Sequence, residues 1–576
     1  MDTSQAVSGL WPRGSHADEQ AESITDRAQV YDILDALIRH GGSGVVLDRG
    51  KRIPATANWL EPDGAAIVWQ LTARVGDVTL AELVGYNSVF RFTLIAKAAS
   101  GTLLLSELPS ELLRVRRRRV RRVRALNGER IVIEDRGHGA RPTPTEPLLD
   151  FSYDGLAFCA SGRPAVRVGT LLSGMRVIRR GELGVSLDGE IVAIDRSRDE
   201  SIYRVRVCPA TAFDLDRWRH FVDAALHPDT AVDPAYCGDV WRLYGDCGYF
   251  SLSGKTPECF STLQSSFPAV MERISRFPDL GCNVVWPSAT RGVSAALSTL
   301  KTYSHGWLGF QMAKISGDTP EGVSGRRVLR EIHQRAYEHI QAVDPQPGWL
   351  IAYPQVKRVW SRAAHHDLPK RYEREGLAHI ARFRALEYPC DRCIEGPTFS
   401  VSLATRSETA SFGSWLERTR PPVYRDALDL VPDRMDFGAI RHQWRKAGLL
   451  RERCLLVAHD GVRPVAAAVL EVAAEATHVY RLLDLMRVYA IEPGGTDAFP
   501  ALLDAGREFY TRYDKPSFVL FQEGDMELPD ATVAQAYDMG FADMSILSAA
   551  LAPELLEYVY QITAPKLPVG TSSMVR

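Results

Sequence analysis

Between Arg114 and Arg124, eight of eleven residues are arginine, and some thirty residues on stands Asp150-Phe151-Ser152-Tyr153-Asp154-Gly155. Within the run, Arg118 and Arg122 frame an R-x-x-x-R, and Asp150, Ser152 and Gly155 frame a D-x-S-x-x-G. A guanidinium is always charged, forks onto phosphate through two parallel N–H bonds and stacks on flat rings. A carboxylate accepts from N–H edges, a hydroxyl adapts, and a glycine admits close backbone approach. These residue types suit a small phosphate-bearing ligand. A basic cluster is more often a solvated face or a non-specific nucleic-acid patch. Here the chain as a whole carries a formal net charge of −2, so the run is a local feature on a near-neutral molecule.

The two motifs, in this order, resemble the signature of PilZ domains, the bacterial receptors for cyclic di-GMP. The resemblance implies that Arg118 and Arg122 clamp the ligand from a segment that wraps it. It matches Arg117 to the basic residue that often precedes the clamp, and it puts Asp150, Ser152 and Gly155 on the barrel side. The implied ligand offers two phosphates and two guanines, whose O6 and N7 edges a guanidinium reads bidentately. Arg114, Arg117 and Arg121 also stand near the right spacing, so the register of the clamp is open. Val123, which follows Arg122 as in the family, favours the Arg118/Arg122 pair.

Such a site needs elements to hold it. With 576 residues the chain exceeds what one hydrophobic core supports, so three to five domains are expected. A 45% hydrophobic and 24% charged composition is that of a soluble globular protein. Nine scattered cysteines and no apolar signal core point to reduced thiols and a cytoplasmic setting. The longest apolar runs, such as Val465 to Leu470, are too short to span a bilayer.

Residues 1–25 are polar and without periodicity, which predicts disorder. Val30, Ile33, Leu34, Leu37 and Ile38 fall on one helical face. Strands are expected at 44–47, 65–70 and 90–94, in a small barrel that ends near Pro109 and resembles the N-terminal barrel of flagellar-brake-type PilZ proteins. From Glu111 a linker carries the arginines. Further strands are expected at 130–134, 156–160, 174–179, 190–195 and 201–208, then a helix from Asp214 to Leu226 with Asp214 as its cap.

The remaining residues change character, with long helices alternating with strands. Val328, Leu329, Ile332, Ala336, Ile340 and Val343 form an apolar stripe. Asp460-Gly461 joins two apolar runs as a hairpin signal. Next come a strand at 482–491, a helix at 499–510, a strand at 517–522, a helix near 531–538 and a last strand from Phe541. This order resembles the GNAT acyltransferase fold, with Met539-Gly540-Phe541 similar to the turn into its last strands. The fold class expected is therefore multidomain: two N-terminal β-barrels, 26–110 and 111–228, then α/β GNAT-like modules at 229–388 and 389–576.

Acyl-CoA would be the implied cofactor, yet the phosphate-binding turn of that family is missing. Gly317, Gly322 and Gly325 with Arg326 and Arg327 offer a variant in the first module. Glu492-Pro493-Gly494-Gly495 in the second puts an acid where phosphate would bind. Ser253-Gly254-Lys255-Thr256 falls short of a P-loop because Gly248 stands one residue too far upstream. Cys390 and Cys393 form a lone C-x-x-C without a second pair, and His365-His366-Asp367 reads as surface histidines in a loop, so no metal site is expected. The reading is a cyclic di-GMP receptor whose output, through an unknown protein partner, runs through the C-terminal half. The alternative is a cyclic di-GMP-regulated N-acyltransferase. No catalytic residue is assigned, and neither membrane insertion nor a specific nucleic acid is expected.

Overall fold

The computed structural model describes residues 21–565 apart from 50, 61–65, 77, 117–120, 126–127, 134–144, 162–165, 180–183, 197–199, 210, 252–259, 320–321, 345, 355–357 and 525–526. Arg117, Arg118, the Ser253–Thr256 segment and nearly all of the expected disordered N-terminus lie outside the described residues. The chain forms two compact units, Met1–Asp229 with Tyr560–Arg576, and Thr230–Val559. Among the described residues no helix is long and apolar enough to cross a membrane.

Unit 1 opens with a nine-stranded antiparallel sheet. Its strands are β1 (Ala21–Ile24), β2 (Ser43–Asp48), β3 (Lys51–Trp59), β4 (Ala66–Leu71), β5 (Val78–Val84), β6 (Ser88–Thr93), β7 (Ala96–Ser100), β8 (Leu103–Glu107) and β9 (Leu112–Arg116). Helix α1 (Arg27–Arg39), capped by Asp26 accepting from the Gln29 amide, buries Val30, Ile33, Leu34 and Leu37 against Trp69, Phe90 and Phe92. A barrel was expected here, and among the described residues no pairing joins the edge strands β1 and β7. The sheet also runs past Pro109. β9 takes Arg114 into the sheet, where its buried guanidinium donates to Ser88 Oγ at 3.1 Å. Leu112 and Val115, three positions apart and so on opposite faces of the strand, are both buried, and that burial favours pairing in a stretch read as linker.

The second sheet of unit 1 closes. Its strands are β10 (Val123–Arg124), β11 (Arg130–Ile133), β12 (Thr145–Ser152), β13 (Gly155–Ser161), β14 (Leu171–Ile178), β15 (Val185–Arg196) and β16 (Glu200–Cys208). The order β12-β11-β14-β15-β16-β13 returns through a β12–β13 pairing, which makes a six-stranded barrel with β10 laid on β12. Helix α2 (Ala212–Leu226) lays Trp218, Phe221 and Val222 against its core. Thr211, not Asp214, is the cap: its Oγ1 accepts from the Asp214 amide at 3.1 Å, and Asp214 sits at the third helical position.

Unit 2 is built on one eleven-stranded sheet, β17-β18-β19-β20-β27-β21-β26-β25-β24-β23-β22. The strands are β17 (Gly281–Ser288), β18 (Gly292–Lys301), β19 (Gly306–Lys314), β20 (Trp349–Ala352), β21 (Ala378–Pro389), β22 (Ser400–Leu403), β23 (Arg451–Asp460), β24 (Arg463–Ala473), β25 (Leu485–Ala490), β26 (Ser517–Glu523) and β27 (Tyr537–Ser548). Its two halves repeat one plan. β17-β18-β19 are antiparallel, helix α3 (Gly325–Val343) crosses over, and β20 returns parallel to β19. β23-β24-β25 are likewise antiparallel, helix α4 (Phe499–Thr511) crosses over, and β26 returns parallel to β25. Each half then gives its last strand to the other: β27 pairs with β20, β21 with β26, and β21 with β27 at the centre. The two stretches read as modules thus share one sheet.

Three local expectations are corrected. The helix near 531–538 is a short turn, Asp530–Val533, because the chain is already in β27 at Tyr537. Met539-Gly540-Phe541 is not a turn but lies inside β27, where Gly540 (φ 90°) accompanies a register shift against β21. His365 and His366 are not on an exposed loop. They lie in a helical run from Val359 to Arg371 and are partly buried, with His365 Nε2 facing the buried His333 Nε2 at 3.2 Å.

Candidate functional site

The hairpin of β12 and β13 carries Asp150, Ser152 and Gly155, and a β-bulge decides how they point. Leu148 pairs with Phe158 and Asp150 with Ala157, so Leu149 is an extra residue on β12. The bulge lets both Leu148 and Phe151 turn into the core, with Phe151 against Trp218 and Phe221, while Asp150 stays half-exposed on the outer face. The hairpin is pinned from behind: Trp218 Nε1 donates to the Tyr153 carbonyl at 3.0 Å, Tyr153 Oη donates to Asp223, and the Val207 amide donates to the Asp154 carbonyl at 3.0 Å.

β10 brings the end of the arginine run onto this hairpin, with Val123 opposite Phe151 and Arg124 opposite Asp150. Arg122 Nη1 donates to Asp150 Oδ1, and the pair is 20% and 36% exposed. Its other terminal nitrogen, Nη2, lies over Gly155. A Cβ there would come within 3.2 Å of it and within 2.9 Å of the Val205 carbonyl, so glycine is required by space. Ser152 is buried, its hydroxyl 2.6 Å from Asp154 Oδ1 and 3.2 Å from the Gly155 carbonyl, either of which it can donate to. It shapes the turn rather than the outer face. Arg121 points elsewhere, donating to the Leu226 carbonyl at the end of α2 at 2.8 Å, with its guanidinium 4.8 Å above the Tyr86 ring.

Four of the six residues expected at the site, Arg122, Asp150, Ser152 and Gly155, therefore converge, and Arg117 and Arg118 lie outside the described residues. Two further arginines join them that the motif did not mark. Arg206 stands opposite Gly155, and Arg204 opposite Ala157, on the neighbouring β16. Arg204 pairs with Asp195 at 2.7 Å and Arg206 with Glu190 at 3.2 Å. Their signal was the alternation Tyr203-Arg204-Val205-Arg206-Val207, which turns both outward. The face thus combines guanidiniums already held by carboxylates with a glycine that leaves room above the backbone.

In unit 2, Gly317 and Gly322 take positive φ before α3, and Ser324 caps it by accepting from the Arg327 amide at 3.2 Å. In the second half Glu492 pairs with Arg463, and a Cβ at Gly495 would meet the Val465 carbonyl at 2.3 Å. That glycine serves close packing. Cys390 is buried and Cys393 exposed, and no group of three or more metal-ligating side chains gathers among the described residues.

No protein-family model matches the sequence, and no curated protein matches it. Several solved structures are similar in part. The K. pneumonia MrkH–c-di-GMP complex shares 13% identity over 36% of this chain and 96% of that one, with a TM-score of 0.31. Escherichia coli YcgR in complex with c-di-GMP shares 14% over 36% and 94%, at a TM-score of 0.28. A Drosophila protein matches at 8% over 55% and 98%, at 0.32. Likeness at this level leaves the ligand to be argued from the side chains.

Proposed function

We propose that the outer face of the β12–β13 hairpin binds cyclic di-GMP, with Arg122 and Asp150 as its described contacts and Gly155 as the floor. The observation that carries this is the meeting of three separated residues at one point: Arg122 pairs with Asp150 while its free end lies over Gly155. In this reading Arg122 turns from the carboxylate to a phosphate or a guanine edge, and Asp150 then accepts from guanine N–H groups. Arg117 and Arg118 would close over the ligand, and Arg204 and Arg206 stand ready on the adjoining strand. Ser152 contributes by holding the turn. Titration calorimetry of the full chain against a panel of cyclic dinucleotides tests it. Cyclic di-GMP should bind, and Asp150→Ala should lose the preference for guanine over adenine. Unchanged preference in that variant would remove Asp150 from base recognition.

We further propose that unit 2 is a duplicated acyltransferase-type body that serves as an interaction region. The repeated plan of antiparallel strands, crossover helix and parallel strand supports the fold, and Glu492 paired with Arg463 beside Gly494–Gly495 disfavours a phosphate there. The second reading, a regulated N-acyltransferase, is tested by thiol release from acetyl- and long-chain acyl-CoA with a pool of amines. Release that rises with cyclic di-GMP and vanishes in Arg326→Ala/Arg327→Ala would establish it.

A further inference from the structure

The parallel pair of the second half of unit 2 holds together over two residues only, Leu485 and Met486 against Val519 and Leu520. The next residue on β25, where the strands part, is Arg487. It is buried, and so are Arg451 and Arg453 on β23 and Glu471 on β24. Arg451 Nη2 and Arg453 Nη2 donate to the two oxygens of Glu471 at 2.6 Å each, and Tyr303 Oη lies 3.2 Å from Oε2. Carbonyls take other guanidinium nitrogens: Leu483 accepts from Arg451 Nη1 at 3.1 Å, and Asp429 accepts from Arg453 Nη1 at 2.9 Å.

Arg451 and Arg453 each leave one nitrogen, Nε, without a partner, whereas Arg487 leaves two. Its Nη1 reaches Glu471 Oε1 at a long 3.4 Å, while Nε and Nη2 are buried without a partner. On a guanidinium those two N–H groups form one edge, and that edge is the fork that takes both oxygens of a carboxylate. The charge is unbalanced in the same direction. Three guanidiniums face the Glu471 carboxylate, the buried Asp429 carboxylate is bonded to the Ser304 amide and to Arg434, and the nearby Glu523 is already engaged by Tyr424 and by Arg420 at 3.6 Å. Buried polar groups of this strength normally find partners. The Phe521 ring lies 5.4 Å from the guanidinium, and the Tyr353 ring packs edge-on against Phe521 at 5.5 Å.

We propose that the free edge of Arg487 binds the carboxylate of a small organic acid, seated where β25 and β26 part. The two donors of that edge match the two coplanar oxygens of a carboxylate. The aromatic neighbours suit the organic body of the acid. The full chain is titrated with acetate, glutamate, benzoate, octanoate and inorganic phosphate, following the thermal midpoint and heat. At least one carboxylate should bind saturably, and Arg487→Lys, which keeps the charge and loses the fork, should weaken it by at least about tenfold. Crystals of the unaltered protein soaked in the best probe, with density for its carboxylate on Nε and Nη2, decide the matter if that variant does not fold. No binding by any carboxylate, binding by phosphate alone, density elsewhere, or unchanged affinity in a folded Arg487→Lys would overturn the proposal.

Discussion

Two arginine–carboxylate clusters in this protein use the same chemistry in opposite surroundings. Arg122 and Asp150 meet at the barrel surface, 20% and 36% exposed, where such a pair is worth about 0–1 kcal/mol. Opening it for a ligand therefore costs little. Glu471 is fully buried among Arg451, Arg453 and Arg487, where removing one partner strands charge in the interior. The surface pair is poised to exchange partners. The buried one organises a core and leaves the Nε–Nη2 edge of Arg487 unpartnered.

The sharpest way to break this contrast is Glu471→Gln. It keeps the shape but leaves three guanidiniums without a counter-charge, and it should destabilise unit 2 by about 3–5 kcal/mol in denaturant unfolding. Burial alone would raise the Glu471 pKa, but Arg453, Arg451 and Arg487 pull it down to about 2. A depressed carboxylate stabilises the fold above its ordinary value near 4.5 and loses that contribution as pH falls from there toward 2. A Glu471→Gln variant as stable as the parent would show that the buried cluster is not structural.

Acid should act on unit 2 earlier still. Burial lowers His333 to about 4 and His478 to about 3, both well under the ordinary 6.5. The unfolded chain then binds protons that the folded chain refuses, so stability is full above about 6.5 and falls as pH drops toward 4. For His333 alone the loss is on the order of 3 kcal/mol. Unfolding midpoints measured between pH 7 and 4 check it. A flat profile over that range would mean that these histidines are solvated.

How much of this could be read from the chain differs between the two clusters for a physical reason. Arg122, Asp150 and Gly155 lie on one hairpin and the strand beside it, so local spacing held their relation. Arg451, Arg453, Glu471 and Arg487 sit on three strands and look like ordinary charged residues in apolar runs. Only the pairing of β23, β24 and β25 brings them together. The same holds for β21, whose polar-studded sequence hid the strand at the centre of the large sheet. Leu149 is another case: nothing marks it as the extra residue of a bulge, yet it sets the direction of Asp150.

At the surface, the effects should be smaller. Arg122→Ala removes charge-assisted contacts and should weaken cyclic di-GMP binding by about 1.5–3 kcal/mol, with little change in unfolding. Calorimetry and a denaturation curve on the same sample separate the two. A variant that binds normally but unfolds more easily would make Arg122 a structural residue.

The smallest expected effect is the most discriminating. Arg124 stands directly opposite Asp150 in the β10–β12 register, so its side chain leaves the sheet on the same face. It is exposed, and the carboxylate is already engaged by Arg122. At that exposure a second guanidinium adds only screened attraction, under about 1 kcal/mol. Arg124→Ala should therefore leave cyclic di-GMP affinity within about threefold of the parent at physiological salt. If the run instead worked as a diffuse basic patch, Arg122→Ala and Arg124→Ala would cost the same, and affinity for the dinucleotide would fall with salt as steeply as affinity for duplex DNA. Running both variants across a salt series distinguishes a clamp from a patch, because a clamp's hydrogen bonds survive the screening that abolishes a patch.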